Sequence, residues 1–256
     1  MKHWVRFRAS DNRVRFGLLQ SASIVEYAGD MFGACSPTGR TLPSSSCALL
    51  SPCQPSKIIG LWNNFHALGA KIGKAAPIHP LYFIKSPGSL AGPGDTIRRP
   101  STYQGKIVFE GELGVVIGKI CREVTPERAA EYIFGYTCVN DVTAVDLFAE
   151  NADFEQWTRA KSFDTFGVLG PVIAAEIDVS KVNVVTRLDD VERQNYPVAD
   201  MIFAPTQIVS RISHDMSLLP GDVIACGTSL GVGSMKRGAR VEVSIEGIGS
   251  LHNVIG

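Results

Sequence analysis

The chain lacks the features that would set it apart from ordinary globular proteins. No apolar run approaches the ~18 residues needed to span a bilayer. Charge is balanced, with 25 Lys and Arg against 25 Asp and Glu, so nothing electrostatic points to nucleic acid or an anionic membrane, and neither is expected as a partner. The six cysteines (Cys35, Cys47, Cys53, Cys121, Cys138 and Cys226) contain no C-x-x-C pair. A chain this long needs no disulfide framework, and Cys138 and Cys226 lie in apolar runs where a thiol packs as a small hydrophobe. The start, "MKHWVRFRASDNRVRFG", is charged and has no apolar h-region. It does not read as a secretory signal, and the cytoplasm is the expected location. No H-x-x-x-H pattern or cysteine cluster offers a zinc site. The glycine-rich "GTSLGVGSMKRG" breaks both the P-loop and the dinucleotide patterns, because Gly231-Val232-Gly233 is followed by Ser234, Met235 and Lys236.

What the chain does have is 256 residues, 45% of them hydrophobic and 20% charged, enough for one large domain or a small and a large one. Residues 4–28 alternate like a small β-meander. Residues 29–57, rich in Gly, Ser and Pro, read as loop and a subdomain boundary. "KIIGLW" opens the main body as a strand, and a helix is expected around "FHALGAKIG". "HPLYFIKS" reads as a strand ending in a lysine, and "KIVFEGELGVVIGKI" as the strongest strand of all. "TPERAAEYIFGY" carries a threonine cap and early acids, the mark of a short helix. "GYTCVNDVTAVDLFAE" runs from strand to helix with Asn140 and Asp141 at the junction. Further strands are predicted in "GVLGPVIAA", "NVVTRLDDV", "RQNYPVADM" and the tail, and an amphipathic helix in "PTQIVSRISHDMSL". Strands dominate and helices interrupt them irregularly. The fold class is therefore α+β, a mixed β-sandwich roll with a small N-terminal β-subdomain (1–56) ahead of the main domain (57–256), and not a doubly wound sheet.

The strongest strand poses a chemical question. Glu110 and Glu112 share one face of it, roughly 7 Å apart along the strand, while Phe109, Leu113, Val115 and Ile117 line the other. Two carboxylates on a half-buried face need solvent, basic partners or a shared cation. With Asp141 they make an all-oxygen set of the kind that hard ions such as Mg2+ or Mn2+ prefer. Asp141 is equally readable as a helix N-cap, His66 as a structural histidine and Lys161 as a solvated lysine.

Seven segments in order, from "KIIGLWNNFHA" through "YQGKIVFEGELGVVIGK", "FGYTCVNDVTAVD" and "QWTRAKSFDTFGVLGPVI" to "LLPGDVIACGTSLGVGSMKRGARVEVSIEGIGSLHN", resemble the fumarylacetoacetate hydrolase superfamily. Residues 1–56 resemble the small N-terminal β-domain of many bacterial members. The resemblance implies that Glu110, Glu112 and Asp141 are the ligands of Mg2+ or Mn2+, and that Lys161 and His66 are catalytic. It implies that Thr228 meets the substrate near its carboxylate, that Gln194, matching a frequent family Gln, is a second substrate-binding residue, and that the protein is a homodimer acting on a small 2-oxo acid. One departure stands out: where many members read H-x-x-E, position 69 is Gly69, with Asp153 or Glu155 as candidate replacements for the missing acid. The expected reaction is C–C hydrolysis of an acylpyruvate-type substrate through a metal-stabilised enolate. Isomerisation or decarboxylation of an unsaturated 2-oxo dicarboxylate and oxaloacetate tautomerisation are the other enzymatic readings, and an inactive metal-binding scaffold is the non-enzymatic one.

Overall fold

A computed structural model describes residues 1–256. Strands dominate, and only three α-helices interrupt them: α1 (His66–Ile72), α2 (Trp157–Lys161) and α3 (Pro205–Asp215). The main sheet runs, edge to edge, through Cys35–Pro43, Ser23–Gly29, Val14–Gln20, Lys2–Arg8, Gly167–Ala175, Ile133–Asp141, Gly111–Ile117, Val223–Ala225, Ile58–Trp62 and Leu81–Lys85. Most neighbours are antiparallel, but Val223–Ala225 pairs parallel with Ile58–Trp62, so the sheet is mixed. The N-terminal meander is hydrogen-bonded into it: Lys2, His3 and Trp4 lie opposite Ala175, Ala174 and Ile173. A second, five-stranded sheet contains Asn183–Leu188, Val191–Pro197, Arg240–Ile245 and Gly249–Ile255.

Alternation along Gly111–Ile117 explains how the layers meet. Leu113, Val115 and Ile117 face a core shared with Val184, Val243 and Leu251 of the second sheet. Val116 points the other way, into a smaller cluster with Trp4, Leu18, Val139 and Ile173. This strand is buried on both faces, so its side chains are fixed by packing from either side.

Four local expectations are corrected. The stretch read as loop contains the nine-residue strand Cys35–Pro43. It is a polar edge strand with almost no burial, so it carries no apolar alternation to betray it. The strand through "KIVFEGELGVVIGKI" is broken at Glu110: Ile107–Phe109 joins a separate three-stranded sheet and Gly111–Ile117 the main one. The threonine-headed helix is only a 3-10 turn over Ala129–Tyr132, with the Thr125 carbonyl accepting from the backbone N–H of Arg128 and Ala129. Asp141 caps no helix; it is the last residue of Ile133–Asp141, and a two-residue strand, Thr143–Ala144, follows.

Candidate metal centre

The break at Glu110 is what assembles the site. Its backbone N–H donates to Asn140 Oδ1 (3.1 Å), and its carbonyl accepts from the Asp141 N–H (2.9 Å). Gly111 then pairs with Asn140, and Glu112 with Val139. Two neighbouring strands thereby bring the carboxylates of Glu110, Glu112 and Asp141 together, with one oxygen of each within 4.8 Å of the others. Glycine between the two glutamates is a packing requirement. A Cβ at Gly111 would lie 2.0 Å from Thr186 Oγ1 and 3.2 Å from Gln194 Oε1. The Gly111 N–H donates to Gln194 Oε1 (3.0 Å), and its carbonyl accepts from Tyr196 Oη (2.5 Å) and Thr228 Oγ1 (3.2 Å).

Each acid has a different environment. Glu110 accepts from Thr143 Oγ1 (2.6 Å) and from Lys161 Nζ (2.9 Å). Asp141 is buried between two ammonium groups: Lys161 Nζ bonds one oxygen at 2.6 Å, and Lys85 Nζ bonds the other. Burial alone would raise the Asp141 pKa, but Lys161 and Lys85 outweigh it and hold the carboxyl below its usual range. Glu112 is fully buried and receives a single hydrogen bond, from the Gly227 N–H to Oε2 (2.8 Å), while Oε1 has no partner. Burial first, and then the charges of Asp141 and Glu110, push its pKa well above the ordinary carboxylate value.

Burial lowers the Lys161 pKa, but Asp141, Glu110 and Glu112 more than reverse it, so the amine is held charged. Lys85 goes the other way, with burial as the leading cause. The centre thus holds three carboxylates and two amines. Its donors are all oxygen, they converge, and one buried carboxylate oxygen lacks a partner. Hard divalent cations fit that donor chemistry, and Glu110, Glu112 and Asp141 could hold one.

The other expected residues divide into two groups. Gln194 and Thr228 are brought together: Gln194 Nε2 donates to Thr228 Oγ1 (2.8 Å), so both buried side chains brace the Gly111 backbone and the loop that covers Glu112. His66 stands apart from the acids. It is the first residue of α1, exposed, and joined by no hydrogen bond to the carboxylates, Lys161 or Thr228. Its neighbour Asn64 ties this segment to the site, donating to Cys226 O (2.8 Å), next to Gly227. Gly69 is buried. A Cβ there would meet Asn63 Oδ1 at 3.0 Å and Lys74 O at 3.1 Å, so a side chain at 69 would require these neighbours to give by a few tenths of an ångström. Both proposed substitutes, Asp153 and Glu155, are exposed; Glu155 lines the rim of a cavity of about 660 Å³ and accepts from Trp157 Nε1 (2.6 Å).

That cavity adjoins the centre. Phe83 is part of its wall, and Lys161 Nζ sits 4.9 Å from the centroid of the same ring. Sequence reasoning overlooked Lys85, Thr143 and Tyr196. Only Lys85 left a signal, a charged residue at the buried end of an apolar strand.

A mixed β-roll whose adjoining segments gather three carboxylates and two lysines defines a centre at which a metal ion could be held. The chain belongs to the fumarylacetoacetate hydrolase family: residues 57–256 match the domain described as "Fumarylacetoacetate (FAA) hydrolase C-terminal", and residues 2–52 match "Rv2993c-like, N-terminal". The oxaloacetate tautomerase YisK of Bacillus subtilis is 36% identical over 216 residues, 79% of this chain and 71% of that one. The crystal structure of 2-hydroxyhepta-2,4-diene-1,7-dioate isomerase from Mycobacterium marinum superposes with a TM-score of 0.91 at 34% identity, covering 100% of this chain and 98% of that one. Maleylpyruvate hydrolase from Sphingobium, crystallised with manganese(II) and pyruvate, gives a TM-score of 0.80 at 25% identity, with 100% and 98% covered. The chain is accordingly an enzyme of this superfamily.

Proposed function

We propose that this enzyme uses Mg2+ or Mn2+ held by Glu110, Glu112 and Asp141 to act on a small 2-oxo carboxylate, with hydrolysis of an acylpyruvate-type C–C bond as its net reaction. The observation that carries this reading is the convergence of three carboxylates beside Lys161, with Glu112 Oε1 unpartnered. A bound divalent ion would supply Lewis-acid polarisation of the 2-oxo and carboxylate oxygens of the substrate. Lys161 is held charged beside the same oxygens, so it stabilises the negative charge that develops as the enolate forms. Lys85 keeps Asp141 ionised and in place, and Gln194 and Thr228 hold the Gly111 backbone that spaces the two glutamates. In the reaction, water adds to the acyl carbon and that carbon's bond to C3 of the pyruvoyl unit breaks. The electron pair passes to the pyruvate enolate, which takes a proton at C3, and the acyl part leaves as a carboxylate. His66, at the start of α1, is assigned the proton transfers. The cavity beside Lys161 has room for an acyl group that a four-carbon acid such as oxaloacetate would leave empty.

A second reading is enolisation without hydrolysis. It is favoured by the glycine at position 69, where many family members carry the acid, and by the absence of any hydrogen bond between His66 and a carboxylate. The test is to add acylpyruvates and oxaloacetate in turn to the protein with Mg2+ or Mn2+ and follow the ultraviolet enol band. Acylpyruvate cleavage is expected to be the faster reaction, and Lys161→Met should lower kcat more than it raises KM. Calorimetry showing unchanged metal affinity in Glu110→Ala, Glu112→Ala and Asp141→Ala alike would sink the proposed centre.

A further inference from the structure

We infer that the aromatic cavity beside Lys161 seats an apolar, preferably aryl, acyl group of the substrate and turns away a second carboxylate. The inference rests on the reading that the pyruvoyl end of the substrate lies at the carboxylate centre. Two elements run from the cavity to that centre. On the strand Leu81–Lys85, the side chains of Leu81, Phe83 and Lys85 alternate onto one face. Leu81 and Phe83 line the cavity, and Lys85 bonds Asp141. On α2, Trp157 and Lys161 are one turn apart and share a face. Trp157 lines the cavity, and Lys161 bonds Glu110 and Asp141. The Phe83 ring stacks on Trp157 with centroids 5.3 Å apart, and its centroid also lies 4.9 Å from Lys161 Nζ. The carboxylates themselves do not line the cavity; Phe83 is the wall it shares with the centre, and the inferred placement puts the far end of a substrate held at the carboxylates on the cavity side of that wall.

The lining decides what that far end is. Trp62, Phe83, Phe154 and Trp157 supply ring faces, and no lysine, arginine or histidine is among the lining residues. The one charged residue is Glu155, fixed by its hydrogen bond to the Trp157 indole. A distal carboxylate would give up hydration here with no cation to receive it, and would face Glu155 as well. An aryl or alkyl group would gain ring contacts instead. The volume, about 660 Å³, falls within the ~300–1,000 Å³ of small-molecule sites. Phe154 is 72% exposed, and an apolar occupant gives that ring a partner.

The test compares benzoylpyruvate with fumaroylpyruvate on the Mn2+-loaded enzyme, since the two differ in an aryl against a carboxylate at the distal end. The expected kcat/KM favours benzoylpyruvate by about 50-fold or more. Glu155→Lys should narrow that ratio at least about tenfold, and Phe154→Ala, at the exposed rim, should raise KM for benzoylpyruvate about tenfold. Binding is read separately by phenylpyruvate quenching of tryptophan fluorescence, since Trp62 and Trp157 are two of the three tryptophans. Turnover without an aryl preference, or a ratio untouched by both variants, overturns the cavity assignment and leaves the proposed reaction standing. Quenching that Phe154→Ala weakens, with no acylpyruvate cleaved, keeps the assignment and overturns the reaction. Neither turnover nor quenching overturns both.

Discussion

The long sheet ends in two edge strands that could hardly be more different. Cys35–Pro43 carries two prolines, a glycine and an arginine, and all but Cys35 and Leu42 are exposed. Proline and charge are what an edge strand uses to refuse further pairing. Leu81–Lys85, at the far edge, buries Phe83 and Lys85 on one face and spends that burial on the carboxylate centre and its cavity. One edge closes the sheet; the other brings a charge to the place where chemistry is proposed. Position in a sheet does not set a strand's importance. What matters is whether its buried face has a polar partner to satisfy.

The sharpest way to break this contrast is at Lys85. Lys85→Met leaves Asp141 with Lys161 alone and removes a fully buried ammonium from its ion pair. Removing one partner of a buried pair costs about 3–5 kcal/mol, so the denaturation midpoint of the metal-free protein should drop sharply. A midpoint unchanged within about 0.5 kcal/mol would make Lys85 a bystander and the two edges equivalent.

A smaller effect should come from Glu112. Its folded pKa is raised, so the fold favours the protonated form. The stability it contributes is fully present below the ordinary glutamate pKa, and is lost as pH rises through the raised folded value. Asp141 works in the opposite sense. Its folded pKa is lowered, so its contribution is present above the ordinary range and lost on acidification. Metal-free Glu112→Gln should therefore be more stable than wild type at neutral pH, because the amide keeps an oxygen for the Gly227 N–H without placing a desolvated charge beside Asp141 and Glu110. It should also flatten the decline between mildly acidic and neutral pH in a thermal melt. A wild-type melting temperature that climbs across that interval, with no change in the variant, would contradict the assignment.

The least effect is expected at the polar edge. Arg40 is mostly exposed and lies 3.5 Å from the buried Glu26, which keeps Arg15 at 3.4 Å as a second partner, so the exposed arginine's share is expected to be about 0–1 kcal/mol. Arg40→Ala should shift stability by no more than about 0.5 kcal/mol and leave substrate turnover as it was. A marked loss of turnover would show that this edge takes part in function after all.

The same contrast explains what could be read from sequence. Strands that bury apolar side chains announce themselves, whether on one face as in the meander and Leu81–Lys85 or on both as in Ile58–Trp62 and Gly167–Ala175, and α3 was legible as well. Cys35–Pro43 was not, because a strand that buries nothing leaves no periodicity. The three carboxylates were visible as residue types, but the interruption of the strand at Glu110 that lets them converge was not. It depends on Asn140 and Asp141 hydrogen-bonding to the Glu110 backbone from another strand. Lys85 was legible as a lysine ending an apolar strand, but nothing local shows that Asp141, far along the chain, lies against it. Gln194 and Thr228 could be named from resemblance, but their contact with each other is a product of the two sheets meeting.

The seam between Lys2–Arg8 and Gly167–Ala175 also has a mechanical meaning. Three antiparallel residue pairs join them, beginning with Lys2 opposite Ala175. A force drawing the chain's first residue away from the sheet would load these pairs one at a time, as a zipper does, and not all together in shear. Peeling the meander withdraws Trp4 and Leu18 from their cluster with Val116 and Val139, while the strands bearing Glu112 and Asp141 keep their backbone pairing to the neighbours on both sides.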